Sequence, residues 1–265
     1  MVALLQGKGT MPSLDEVKAI LRPSGEVYRG LQSVPTASIA GSEGRHADFD
    51  RRFRPRKRHT RRRWMSIFTA HERLVGLPAV TLYELGGLYF VRDGNHRVSV
   101  ARHRGVTFID AEVTSLSSRV ALSAGMSTDD MRKAVIRWEH ARFAEALLGS
   151  EEVPGAELAF TEVGGFDEVL RHVAGHREAL RAAGRPVADP VEAARSWYAN
   201  VYLLLVKVIR DAGIMKYLPG RTTADLYLWV VRNWDEFARR IGQSGSRDPA
   251  RRRFRTWFLR GRGIR

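Results

Sequence analysis

Residues 89–104 read YFVRDGNHRVSVARHR, and this stretch decides how the chain around it folds. An apolar run, Tyr89-Phe90-Val91, enters a tight Asp93-Gly94 turn, and a short helix is expected from about Asn95. His96 and Arg97 then fall on the first helical turn. There the unpaired N–H groups and the positive end of the helix dipole stabilise an anion. Two donor side chains aimed at one spot would make a phosphate site. An ordinary strand-to-helix turn, with His96 and Arg97 facing solvent, is the alternative, and local physics admits both.

Upstream, Ala79–Leu85 and Leu88–Arg92 flank Gly86-Gly87 in the pattern of a β-hairpin. Downstream, Val98 and Ala101 should point inward, Gly105 should close the helix, and Thr107–Val113 (TFIDAEV) reads as another strand. Residues 24–46 are rich in Gly, Ser and Pro and hold one short strand candidate, around Thr36–Ala40. Gly41-Ser42-Glu43-Gly44-Arg45 reads as a loop with room for backbone to approach a ligand. Ser13-Leu14-Asp15-Glu16 has the capping-box pattern, and its helix should bury Leu14, Val17, Ile20 and Leu21. One α/β unit is expected over roughly residues 30–118, after an N-terminal helix and linker at 1–29.

Ser115–Ser127 is Ser-rich and reads as a domain boundary, beyond which the hydrophobic period becomes helical. Helices are expected from Ser127 or Thr128, over Phe166–Leu180, from Asp189-Pro190 to Gly213, and after Pro219-Gly220-Arg221-Thr222. The last of these would carry Leu226, Val230, Phe237 and Ile241. The fold class is therefore α+β, a small α/β domain followed by a mainly helical one at 127–243 and an Arg-rich tail at 244–265. Trp197, Tyr198, Tyr202, Tyr227, Trp229 and Trp234 recur near helical spacing and read as bundle core rather than a base-stacking surface.

With 265 residues the chain has room for one or two domains. No apolar run is long enough to span a bilayer, and the N-terminus lacks the apolar core of a signal peptide. Zero cysteines exclude disulfides, thiolate metal ligands and thiol nucleophiles. A cytoplasmic location is the default expectation. His172 and His176 are spaced like a zinc-binding pair, but Val173 stands where a metalloprotease helix needs glutamate, and no third ligand is apparent. No metal site is assigned, and both histidines are expected at the surface.

Charge is informative by location. Residues 51–63 carry Arg51, Arg52, Arg54, Arg56, Lys57, Arg58, Arg61, Arg62 and Arg63 with no acid, a local +9. Residues 247–265 add +7, so the formal +15 of the whole leaves −1 for everything else. A near-neutral body wearing two basic segments attracts polyanions through counterion release; nucleic acid, with DNA the expected form, is the commonest such partner, and an anionic membrane surface is the alternative. The competing reading of the first segment is a solvated arm that serves solubility. A helix after it, with Trp64, Ile67, Phe68, His71, Leu74 and Val75 on one face, should anchor it.

The hairpin LPAVTLYELGGLYFV, followed by RDGNHRVSVARHRG and TFIDAEV, resembles the ParB/sulfiredoxin superfamily over roughly residues 33–115. In that superfamily a strand, a DGxHR-type turn and a helix bind a nucleotide's phosphates. The resemblance implies binding of CTP or ATP, with or without Mg²⁺, by Asp93, Gly94, Asn95, His96 and Arg97, with Arg97 the main phosphate contact and Arg45 completing the pocket. Asn95 falls where sulfiredoxins carry their catalytic cysteine, so sulfinic acid reduction is ruled out. ParB proteins hydrolyse CTP and clamp DNA, but their helix-turn-helix domain and second nucleotide motif are not evident. Free-serine kinases of the superfamily use a glutamate base, for which Glu43 is the candidate. A DNase, a nucleotide hydrolase, a non-catalytic interaction protein and a homodimeric assembly remain open. PGRTTADLYLW in the C-terminal half resembles a helical domain found attached to ParB-like domains.

Overall fold

The expected hairpin forms, with Gly86 and Gly87 both at positive φ between β3 (Val80–Leu85) and β4 (Leu88–Asp93). The computed structural model describes residues 11–57, 63–69, 78–147, 158–185, 187, 189–211 and 213–233. Around the hairpin lies a five-stranded mixed sheet in the order β1-β5-β3-β4-β2, where β1 is Glu26–Pro35, β2 is Ile39–Ser42 and β5 is Phe108–Leu116. β3 pairs antiparallel with β4 and parallel with β5, β2 runs parallel to β4, and β1 runs antiparallel to β5. Helices α1 (Leu14–Leu21), α2 (63–69) and α3 (Asn95–His103) complete this unit. Strand alternation buries Val80 and Leu82, which share a core with Val98 of α3 and with Phe49 and Phe53.

Three local expectations are corrected. Strand β1 spans ten residues where a loop was expected, and Thr36–Ser38 is a 3₁₀ turn, so the short strand is Ile39–Ser42. β1 lies at the sheet edge with Val27, Tyr28 and Leu31 exposed, and its register shifts between Tyr28 and Gly30; that erases the alternation by which strands are recognised. Gly41 and Ser42 belong to β2 rather than to a loop. A Cβ on Gly41 would lie 2.3 Å from the Pro12 carbonyl, so this glycine serves chain packing and not a ligand. Ser13 precedes α1 without a side-chain cap, because its backbone is bridged to Ser42 in a parallel pairing. The α1 residues Leu14, Val17, Ile20 and Leu21 are buried as expected.

The chain divides into two compact units, Met1–Val135 and Ile136–Arg265, within α4 (Thr128–Leu147). Ser127 and Asp130 cap α4 reciprocally. In the second unit α5 is Gly165–Ala182, and α6 (Pro190–Trp197) is capped by Asp189. Five π-helical residues, Tyr198–Tyr202, join α6 to α7 (Leu203–Asp211), with Leu203 N–H bonded to the Tyr198 carbonyl five residues back. Helix α8 (Thr223–Arg232) opens with a complete capping box between Thr222 and Asp225.

The core of this unit holds Trp197 and Tyr227, both fully buried, with Tyr198 and Tyr202, whereas Trp229 is largely exposed. Trp234, Phe237, Ile241, the tail, and His71, Leu74 and Val75 lie outside the described residues. The expected surface placement of His172 and His176 is overturned. His172 accepts or donates a 3.0 Å hydrogen bond with the Tyr227 hydroxyl, and His176 stands 2.9 Å from Ser196 Oγ, because α5 packs its histidine face against α6 and α8. Burial lowers both imidazole pKa values, that of His172 to about 4. No helix among the described residues is long and apolar enough to cross a membrane.

Candidate phosphate site at the start of the third helix

β4 delivers the chain to the turn, and Gly94 reverses it. Its φ of 99° lies in the left-handed region, and a Cβ there would sit 2.6 Å from Val80 Cγ1. The first helical bond closes from Val98 N–H to the Gly94 carbonyl at 3.0 Å, so the N–H groups of Asn95, His96 and Arg97 precede the helical ladder. Asn95 and His96 are 4% and 5% exposed. The Asn95 Oδ1 atom is buried without a hydrogen-bond partner. Its amide, turned either way, offers a ligand a donor or an acceptor.

The chain from Glu43 to Lys57 forms the facing wall. Glu43 N–H bonds the Val91 carbonyl at 2.9 Å, which ties the start of this wall to β4. Arg45 Nη1 lies 3.4 Å from His96 Nε2, while its Nε and Nη2 hold Asp48 Oδ2 at 3.0 and 2.9 Å. Asp48 also takes Lys57 Nζ at 2.8 Å. The hydrogen bond from Lys57, then that from Arg45, holds its carboxyl below the usual range against the opposing effect of burial. Phe49 packs edge-on to the His96 ring at 5.2 Å. These contacts bring Arg45 to His96, the neighbour of Asn95, and add Asp48, Phe49 and Lys57, which the sequence did not single out for this site. Phe49 and Phe53, four apart beside the arginine run, were the available signal.

Arg97 is placed differently from its expected role. Its Nη1 donates to the carbonyls of Pro78 and Ala79 at 2.5 and 2.8 Å, and its Nη2 to Asp93 Oδ2 at 2.5 Å. The side chain is only 13% exposed and fastens α3 to the entrance of β3. Asp93 supplies one of those acceptors. Glu43, the candidate base, stands with Oε2 4.0 Å from Arg92 Nε. Glu84 is committed to the hairpin, accepting from Gly87 N–H and Ser115 Oγ. Among the described residues no group of three or more His, Asp or Glu is spaced to hold a metal ion.

Residues 51–57 of the basic segment are folded into this unit. Asp50 Oδ1 accepts from the backbone N–H groups of Arg52 and Arg54, and Phe53 between them is fully buried. Arg52, Arg54, Arg56 and Lys57 are exposed, and so is Arg63 at the start of α2. Trp64 Nε1 donates to Ser99 Oγ at 2.9 Å and stacks on Phe68, docking α2 against α3. Arg51 is half-buried. Arg58, Arg61 and Arg62 lie outside the described residues.

No family model matches the chain, and no curated protein matches it. Among solved structures, the crystal structure of sulfiredoxin from Arabidopsis thaliana is similar over 31% of this chain and 82% of its own, at 14% identity and a TM-score of 0.24.

Proposed function

We propose that the first unit binds a nucleoside triphosphate, CTP or ATP, through its phosphates at the start of α3, and that the basic segment beside this site associates with DNA. The observation that carries the first half is the convergence of Arg45 on His96 at the open N-terminus of α3. The helix N–H groups supply the backbone donors, and Arg45, held by Asp48 and His96, supplies the charge. Asn95, with its unpartnered Oδ1, is the group left to meet the ligand beyond the phosphates. The DGNHR resemblance supports the same reading. Mg²⁺, where it takes part, would arrive with the phosphates.

The exposed row Arg52, Arg54, Arg56, Lys57 supports the second half, because its backbone is held in place by Asp50, Phe53 and Asp48. A fixed cationic ridge contacts a DNA backbone with less ordering cost than a free arm.

Calorimetric titration with CTP, ATP and GTP, with and without Mg²⁺, tests the nucleotide claim. Saturable binding that weakens in Arg45→Ala is expected; absence of binding by all three nucleotides would refute it. For DNA, affinity should fall steeply with salt, and the slope should shrink when Arg52, Arg54, Arg56 and Lys57 are neutralised. A flat salt dependence would refute that half. The placement of Glu43, joined to β4 beside the turn and partly exposed, favours one second reading, phosphoryl transfer to a small hydroxyl compound with Glu43 as base. Turnover requiring such an acceptor, indifferent to DNA and lost in Glu43→Gln, distinguishes it.

A further inference from the structure

Strand β1 closes one side of the sheet, and among the described residues no strand pairs with its outer edge. An unpaired edge presents a row of backbone N–H and C=O groups to any second strand. The first four residues of β1, Glu26, Val27, Tyr28 and Arg29, are all exposed, although successive side chains of a strand point to opposite faces. Both faces are therefore open at this end. Val27 is 54% exposed and Tyr28 65%, and the Tyr28 side chain is held in place by a hydrogen bond from its hydroxyl to the Glu112 carboxylate. Large apolar side chains so placed on a free edge favour pairing.

Charge ordinarily discourages such pairing, but here the charges complement each other. Glu26 and Arg29 are the only charged residues of β1 and flank Val27 and Tyr28. Neither side chain has a hydrogen-bond or ion-pair partner among the described residues. Arg29 is also passed over in the register with β5, which pairs Tyr28 with Thr114 and then Gly30 with Val113. The order acid, apolar, apolar, base is its own complement when turned end for end. Set antiparallel about a two-fold axis between Val27 and Tyr28, it places Glu26 opposite Arg29 of the partner subunit. The same register places Val27 opposite Tyr28 of the partner subunit, and each contact is made twice. No other antiparallel register joins those charges. The approach to β1 is fixed as well, since Ser117 Oγ accepts from the N–H groups of Ser24 and Gly25, each at 2.9 Å.

We propose that β1 is a self-association edge, to which a second copy of this chain adds its own β1 in the register that pairs Glu26 with Arg29 of the partner subunit. The two five-stranded sheets then form one continuous sheet. Opposite-charge and aromatic–β-branched cross-strand pairs stabilise the junction on both faces. β4 and β2, which carry the phosphate turn and the start of its facing wall, lie at the other side of the sheet, so the pairing leaves them open. Association needs neither nucleotide nor DNA.

The test is sedimentation velocity of the full chain, freed of nucleic acid, over a wide range of concentrations. Wild type should show a monomer–dimer equilibrium. Glu26→Arg and Arg29→Glu each set like charges opposite one another twice, and each should weaken the dimer about tenfold. The double variant exchanges the two charges and should restore it. Mixing the two single variants should also restore it, because each supplies the charge that the other lacks. Val27→Lys, which puts a charge against Tyr28 of the partner subunit, should leave the chain monomeric. All these positions are exposed, so circular dichroism of every variant should match wild type. A wild type that stays monomeric at every concentration overturns the proposal, whatever else then covers the edge. A dimer that neither charge reversal weakens overturns it too, as does one that neither the double variant nor the mixture restores.

Discussion

Nη1 of Arg45 stands 3.4 Å from Nε2 of His96, and a guanidinium can only donate. Nε2 is therefore the acceptor, and a neutral His96 carries its proton on Nδ1. Arranged so, the imidazole and Asp48 together hold Arg45 in place, and Arg45 presents the positive charge to a phosphate. Arg45→Ala is expected to weaken nucleotide binding by about ten- to hundredfold, the worth of a charge-assisted contact, and His96→Ala by less. Calorimetry on the two variants checks the order, and a larger loss in His96→Ala would reverse the assignment.

Arg97→Ala should act on stability before it acts on affinity. Its three acceptors include two backbone carbonyls at the entrance to β3, which lose their donors in the variant. Urea unfolding should show a loss of about 1–3 kcal/mol. Asp93→Asn should cost much less, since the Asp93 side chain is 75% exposed. A stable Arg97→Ala protein with greatly weakened nucleotide binding would return Arg97 to the phosphate.

Gly41→Ala is expected to destabilise the first unit by about 1–3 kcal/mol, because the new methyl meets the Pro12 carbonyl and the Phe90 ring within 3 Å. Gly25→Ala, with nothing within 4 Å, is the matched control and should be close to neutral. Thermal denaturation of the pair reads the difference directly.

The second unit should weaken in acid. His172 titrates near 4 in the folded chain, chiefly because burial disfavours its charged form, against about 6.5 when unfolded. Between those values the unfolded chain binds the extra proton. The contribution is therefore complete above pH 6.5, declines as pH falls, and is lost below pH 4, a swing of about 3 kcal/mol. His172→Asn, which can still bond the Tyr227 hydroxyl, should flatten the decline in urea midpoints measured from pH 7 to pH 4.

The hairpin, the turn and α3 were legible because each carried its own local signal: an alternating run, a Gly pair, a DG dipeptide. β1 was not, because an exposed edge strand with a register shift at Gly30 has no inward face to alternate against. At the site, His96 and Arg45 could be named from the motif and the Gly-rich stretch before it. The commitment of Arg97 to Pro78 and Ala79 could not, since it depends on how close the turn lies to the start of β3.

The π-helical residues Tyr198–Tyr202 keep two buried side chains in line along residues 190–211. Each residue turns an α-helix by about 100°, so over the twelve residues from Trp197 to Ile209 a regular helix would carry Ile209 about 120° away from Trp197. The wide turn takes up one residue more than an α-helical turn, which brings the two back to within about 20°, and both are buried. Deleting the exposed Ala199 should therefore relax the turn to ordinary α-helix and leave Leu205, Val208 and Ile209 on the core. Straightening the turn without a deletion would swing them off it and bring Lys207 toward it.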